Sequence, residues 1–263
     1  MRTSLFVSSV ASLTLASAAS ADFVGWTSSV RTVNGGFLVN IFAATNNSSD
    51  VILNVYGGTP GQPSEGRITT NSAGGFLQGA GAQGVWAPSG SQNWTTLDSF
   101  LTIGGSLNTT TNAFTGNGST AGDPPWNVTY TDTDTGEETS VNAFNTPSNA
   151  SGFENPYLNN IPATGGFFIA GTSSPARSLA SLGAARNTSS NAAAAAASFG
   201  MLVGQFYVAQ LSSEAVKFTN MGATLRRSDF TLSQAAFSVT VPAPGALALL
   251  GVAGLASGRR RRA

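Results

Sequence analysis

The sequence contains no cysteine and no histidine, and only 9% of its 263 residues are charged. The absence of cysteine excludes disulfide bonds, so a domain of this size has to rely on its hydrophobic core for stability. The absence of histidine excludes the Ser-His-Asp triad, the Cys-His dyad and the usual imidazole zinc site. Most familiar hydrolase mechanisms are thereby excluded, whereas glycosidases that use a pair of carboxylates are not.

The N-terminal residues 1–21 have the pattern of an export signal. Arg2 provides a minimal basic region, and residues 5–15 form an apolar stretch interrupted by Ser and Thr. Ala19 and Ala21 then match the A-x-A pattern that signal peptidase recognises. We therefore expect cleavage after Ala21 and a mature chain that begins at Asp22.

The C-terminal residues 242–263 have three parts in a fixed order. The first is a short proline turn formed by Pro242, Ala243 and Pro244. The uncharged stretch that follows, 245–257, has 13 residues, whereas a bilayer-spanning helix needs about 20. Four consecutive arginines then close the segment: Arg259, Arg260, Arg261 and Arg262. Because arginines hold their end of a segment on the cytoplasmic side, this order predicts a transient membrane stop that is then cleaved, with an uncleaved weak membrane tail as the alternative.

This C-terminal segment resembles the PEP-CTERM sorting signal of Gram-negative bacteria that make extracellular polymer, with Ala243 in place of the usual central Glu. The body also loosely resembles other β-rich PEP-CTERM proteins, in short blocks such as residues 37–43 and 51–56. The resemblance implies processing by a membrane protease-transpeptidase of the exosortase type. It also implies delivery to the cell surface or the extracellular matrix, through a precursor that is held briefly in the inner membrane.

The formal net charge of zero conceals an acidic body. Five of the 12 basic residues lie in the two signals, which leaves seven basic against 12 acidic residues and a net charge of −5. An acidic body argues against nucleic acid as a partner. The remaining residues 22–241 are enough to bury a full core as a single domain.

Alternating apolar residues predict an all-β fold for residues 22–241. Asn34, Gly35 and Gly36 have the composition of a hairpin turn. Residues 37–43 are apolar on both faces, which indicates a central strand. In the next strand we expect Val51, Leu53 and Val55 to share one face.

Further along the chain, residues 126–132 and 138–144 form the clearest predicted hairpin, and residues 237–241 alternate cleanly. One interruption is expected: Ser174 and Pro175 are suited to begin a short helix, and residues 192–197 are a run of six alanines, predicted as a short helix or a low-complexity connection. The pattern predicts one antiparallel β-sandwich with long polar loops, with a jelly roll as one possible arrangement.

Residues 132–138 place four carboxylates within seven residues. Asp132 and Asp134, with a nearby glycine, have the spacing in which a calcium loop begins, although an EF-hand would need its glycine and its glutamate at later positions. Asp, Thr and Gly are also ordinary residues of a solvated hairpin turn. The sequence therefore allows a calcium site at these two aspartates, while the turn alone explains the same residues; no other cofactor is predicted.

Three tryptophans lie in or beside long predicted loops: Trp86, Trp94 and Trp126. If exposed, they could stack on sugar rings and bind extracellular polysaccharide; if buried, they would be core. Asp98, Asp123, Glu154 and Glu214 suit a carboxylate-pair glycosidase or lyase by residue type only, because nothing in the sequence pairs them. The first hypothesis is thus an exported non-enzymatic structural or adhesive protein, the second a carbohydrate-binding module, and the third such a glycosidase or lyase.

Overall fold

The computed structural model describes residues 22–57, 66–79, 86, 97–106, 109–112, 126–144, 153–161, 166–168, 176–179, 192–212 and 214–241. Fourteen strands occur in this part of the chain: β1 Phe23–Val33, β2 Gly36–Thr45, β3 Val51–Gly57, β4 Arg67–Thr69, β5 Phe100–Ser106, β6 Thr109–Asn112, β7 Asn127–Thr131, β8 Glu138–Asn142, β9 Asn160–Ile161, β10 Phe167–Phe168, β11 Arg177–Ser178, β12 Phe199–Val208, β13 Val216–Arg226 and β14 Leu232–Val241. The helical elements are a 3₁₀ turn, Pro156–Leu158, and one α-helix, α1 Ala192–Ala196.

The strands form two six-stranded antiparallel sheets and one two-stranded ribbon. The first sheet has the order β1-β2-β12-β5-β6, with β11 pairing with β12. The second has the order β10-β3-β13-β4-β9, with β14 pairing with β13. Strands β7 and β8 make the ribbon. The all-β antiparallel sandwich predicted from the sequence is confirmed.

The β1–β2 hairpin forms where the glycine pair predicted it. Val33 pairs with Gly36, so the turn consists of Asn34 and Gly35, and Gly35 has a φ of +83°, which favours glycine. Strand β2 is central, between β1 and β12, and its side chains are buried on both faces from Leu38 to Thr45. The prediction of a central strand at residues 37–43 is therefore confirmed.

Trp26 joins the two sheets through the main core. Its indole N–H lies 3.1 Å from both Met221 O on β13 and Phe237 O on β14, and can donate to either carbonyl. Its ring contacts Phe23 and Phe218 edge-on, at centroid distances of 4.7 and 5.2 Å. A side chain of the first sheet thus satisfies carbonyl groups of the second, which fixes how the two sheets pack.

The outer face of the first sheet is covered by a second apolar cluster. Ala194 and Ala197, in and just after α1, pack there with Phe42, Phe100 and Leu202. A helix of five alanines is too short to be stable alone in water, so this packing is what stabilises it. The alanine run is a helix, and its small side chains allow it to lie close to the sheet.

Two local predictions are wrong. A register irregularity in the β3–β13 pairing pairs Thr224 with Asn54 but Leu225 with Ile52. Ile52 and Val55 therefore enter the core while Leu53 is only half-buried, unlike the simple alternation expected for Val51, Leu53 and Val55. The helix expected from Ser174 onward is replaced at residues 177–178 by strand β11, which pairs with β12.

Candidate functional site

The predicted sugar-stacking tryptophans do not form an exposed platform. Trp86 and Trp126 are completely buried, and Trp94 lies outside the described residues. The Trp126 indole N–H donates to Gly166 O at 3.0 Å, and its ring packs edge-on against Phe144 and Tyr157. The stacking prediction is therefore wrong for these two tryptophans, because their ring faces are occupied by the protein itself.

Trp86 instead links two parts of the fold through its backbone. Its N–H donates to Phe144 O and its carbonyl accepts from Leu101 N, both at 2.9 Å. Residue 86 thus ties the end of the β7–β8 ribbon to strand β5. Its ring packs against Phe76 and Phe206. Trp86 and Trp126 thus both act as core residues.

The acidic turn after β7 is closed by its own aspartate. One carboxylate oxygen of Asp132 accepts from the N–H groups of Asp134 and Thr135, at 2.7 and 3.1 Å. Gly136 has a φ of +75°, which favours glycine, and its N–H donates to Asp132 O. Among the described residues no three acidic side chains converge to hold a metal ion. The geometry thus gives Asp132 and Asp134 a role in the turn and does not support the calcium prediction.

The acids considered for glycoside hydrolysis have separate surroundings. Asp98 is fully buried, and its Oδ1 accepts from Gly79 N at 2.8 Å. Glu214 forms an exposed ion pair with Lys217 at 2.7 Å, and Glu154 is exposed. Asp123 lies outside the described residues. The structure therefore shows no catalytic pair among the three acids that it describes.

The carboxylate with the most unusual environment, Asp50, was not singled out from the sequence. Asp50 follows β2 in the turn that crosses to β3, and it is 0% exposed. Neither of its oxygens has a hydrogen-bond partner of normal geometry within the described part of the chain. The nearby Thr45 hydroxyl donates instead to Asn47 O. A buried carboxylate without a partner is costly, so Asp50 is the candidate site.

Burial raises the pKa of the Asp50 carboxyl from 3.8 to about 6. The Asn47 backbone, the Thr45 hydroxyl and the positive charge of Arg227 offset part of this rise, while the negative charge of Asp22 adds to it. The dominant cause is the removal of the carboxylate from water, which disfavours its charged form. Asp50 is thus suited to accept a cation or to remain protonated below about pH 6.

The charges near Asp50 lie at one end of the described sandwich, on residues beside the start of β1 and the end of β13. Asp22, directly before β1, accepts hydrogen bonds from the Arg227 guanidinium and from the Ser233 hydroxyl of β14. Asp229 accepts from the backbone and hydroxyl of Thr231, and these bonds lower the pKa of its carboxyl. This group of residues ties the start of the first strand to the β13–β14 hairpin. We call Asp22, Asp50 and Arg227 the strand-end cluster.

The residues of the two predicted signals lie outside the described region. The described chain begins at Asp22, and β14 ends at Val241, where it pairs with Val216. The predicted cleavage residues Ala19 and Ala21, and the sorting residues from Pro242 to Arg262, flank these two ends. Within the described ranges, no helix is long and apolar enough to cross a membrane.

Comparison of the chain with protein-family models, with curated proteins and with solved structures finds no match.

Proposed function

We propose that the chain is an exported, non-enzymatic structural or adhesive protein of the cell surface or extracellular matrix. In this proposal, signal peptidase removes residues 1–21, and an exosortase-like protease processes the segment 242–263. The resemblance of that segment to a PEP-CTERM signal is the basis for the destination, and the extracellular polymer is the expected surrounding of the mature protein.

The observation that carries the proposal is where the packed strands begin and end. Phe23, the first residue of β1, is 2% exposed, and Val241, the last residue of β14, is 0% exposed. The two predicted cleavage regions lie directly outside these residues. Removal of both signals would therefore leave all fourteen described strands intact, as expected for a domain that functions after processing.

Variants of the basic cluster test the sorting step. The full chain would be produced in a Gram-negative host that contains an exosortase, with Arg259 to Arg262 all changed to Ser or all changed to Lys. We expect the Lys variant, which keeps the positive charge, to be processed normally and to reach the surface. The Ser variant should be mislocalised. Equal surface delivery of both variants would contradict the proposed role of the cluster.

A test of the proposed destination uses the matrix itself. Matrix extracted from producing cells should contain the processed chain, and a strain that lacks the chain should form weaker or less adherent matrix. Hydrolysis of matrix polysaccharide by the purified chain, lost on changing one Asp or Glu, would overturn the non-enzymatic assignment.

A further inference from the structure

The buried carboxylate of Asp50 requires a positive partner that the described side chains do not supply. Arg227 lowers the pKa of Asp50 from a distance, but its guanidinium donates to the Asp22 carboxylate and to the Thr231 hydroxyl. An ionised carboxylate removed from water is stable only when it is closely paired and hydrogen-bonded. Among the described residues, neither oxygen of this buried carboxylate has a hydrogen-bond partner of normal geometry, although the Thr45 hydroxyl and the Asn47 backbone lie close enough to lower its pKa.

The backbone nitrogen of Asp22 belongs to the same end of the sandwich. Phe23 pairs with Thr45 in the β1–β2 ladder, so Asp22 is placed beyond Thr45, where the chain turns toward Asp50. The Thr45 hydroxyl and the Asn47 backbone both lie near enough to the Asp50 carboxyl to lower its pKa. The Asp22 side chain is held by Arg227 and Ser233, which fixes this end of the chain against the second sheet.

Removal of the predicted export signal, residues 1–21 (the leader), would change the chemistry of the Asp22 backbone nitrogen. Hydrolysis of the Ala21–Asp22 peptide bond consumes one water molecule, leaves a carboxylate on Ala21, and leaves an amine on Asp22. The amine takes up a proton at neutral pH, because an α-amino group has a pKa of about 8. An uncharged amide in the precursor thus becomes a cation with three hydrogen-bond donors.

We propose that the α-ammonium group formed at Asp22 by leader removal pairs with the buried Asp50 carboxylate, so that cleavage completes the strand-end cluster. This inference rests on the proposed export and on cleavage after Ala21. In the precursor, the Asp50 carboxylate has no hydrogen-bond partner of normal geometry among the described residues, and in the mature protein the new ammonium group supplies one. Maturation stabilises the fold through this pair.

The ionisation of the groups in and around the pair sets the pH range over which the pair stabilises the fold. Asp22 contributes a second carboxylate, which Arg227 neutralises, and Asp229 is bound by Thr231. The pair requires an ionised Asp50 and a protonated amine, so its stabilising effect should be largest near pH 7. The effect should decline as the pH rises above about 8, where the α-amine loses its proton.

The test generates the new N-terminus at Asp22 by a specific protease cut in the full chain. The substitutions Ser17→Asp, Ala18→Asp, Ala19→Asp, Ser20→Asp and Ala21→Lys create an enteropeptidase site that ends directly before Asp22. Urea unfolding at pH 7 would be compared before and after the cut, with the product verified by mass. Asp50→Asn carries the same site, and Asp229→Asn is the matched control, because it neutralises a nearby acid that is already satisfied.

We expect the cut to lower the unfolding equilibrium constant about tenfold or more in the chain with Asp50 and in the Asp229→Asn control. In Asp50→Asn the cut should change that constant less than about twofold, since the partner of the ammonium is gone. An equal gain in Asp50→Asn, or no gain in the chain that retains Asp50, would overturn the proposed pair.

A second measurement does not depend on the folding of Asp50→Asn. Lys217 is the only lysine of the chain, so on a Lys217→Arg background acetylation of the cut protein modifies the α-amine alone. Acetylation should abolish the gain in stability, and a retained gain would contradict the pair. N-terminal sequencing of the exported protein separates the two proposals: a start other than Asp22 refutes the processing site, whereas the engineered cut tests the pairing chemistry.

Discussion

Two aspartate-bearing turns in this molecule have similar compositions and opposite environments. Asp50 closes the turn of residues 46–50, and Asp132 opens the turn of residues 132–136. The Asp132 carboxylate accepts hydrogen bonds from two backbone N–H groups of its own turn. The Asp50 carboxylate is buried, without a hydrogen bond of normal geometry among the described residues.

The difference follows from the strands on either side of each turn. Residues 46–50 connect β2, which is central in the first sheet, to β3 in the second, so this turn crosses the end of the core. Residues 132–136 connect two strands that pair only with each other among the described strands. Turn composition alone therefore indicates where the chain reverses, while the position of the flanking strands in the sheets decides whether an acid is desolvated.

The largest expected effect concerns the pH dependence conferred by Asp50 in the chain that retains its leader. The folded state binds the Asp50 proton more tightly than the unfolded chain does. The stability that this protonation contributes is therefore present below about pH 4 and is lost as the pH rises through about 6. We expect a loss of about 2 kcal/mol in the free energy of unfolding between these limits. Subtraction of the Asp50→Asn profile, measured by urea unfolding, isolates this effect. A flat difference between the two profiles would refute it.

A smaller effect is expected at Asp132, whose carboxylate already accepts two hydrogen bonds. Asp132→Ala removes the acceptor of two N–H groups in an exposed turn and should lower the free energy of unfolding by about 1 kcal/mol. Asp132→Asn keeps one acceptor oxygen and is the matched control, expected to be nearly neutral. Hydrogen exchange at the amides of Asp134 and Thr135 should accelerate only in the alanine variant. Equal losses in both variants would mean that the charge, and not the hydrogen bonds, stabilises the turn.

The glycine of the same turn tests backbone conformation alone. Gly136 has a φ of +75°, and a methyl group added there would meet no atom within 4 Å. Gly136→Ala should therefore cost only the strain of the left-handed conformation, roughly 1 kcal/mol. Gly136→Asn, which tolerates that conformation better, should cost less. If alanine is as stable as glycine in thermal unfolding, this explanation of the turn is wrong.

Calcium should have the smallest effect of all. The Asp132 turn gathers no third acidic ligand within the described residues, and one Asp132 oxygen is already used by the turn. Millimolar calcium should leave the melting temperature unchanged, and titration calorimetry should detect no binding heat. A saturable heat that disappears in Asp132→Ala would restore the calcium prediction.

Features that arise from neighbouring residues were predicted well. The apolar pattern on both faces of residues 37–43 predicted a central strand, and Asn34 with Gly35 predicted the hairpin turn. The ribbon around Gly136 was also predicted, because its turn chemistry and its alternation agree. Each of these depends on local sequence that one strand or turn contains by itself.

Features that depend on distant packing were left open, as for Trp86 and Trp126, or were missed. The burial of Trp86 and Trp126 follows from contacts with residues such as Phe206 and Gly166, which no local pattern places beside them. The irregularity that brings Ile52 into the core arises in its pairing with β13. Asp50 was overlooked for the same reason. The composition of its turn is typical of a polar, solvated turn, whereas the fold buries the Asp50 side chain.

The most direct test of the central claim is the intact mass of the chain isolated from the surface or matrix of cells that make it with both signals present. Export and double processing predict a chain that begins at Asp22 and ends near Val241, close to the two ends of the described strands. A mass that retains residues 1–21, or one that extends to Ala263, would contradict it.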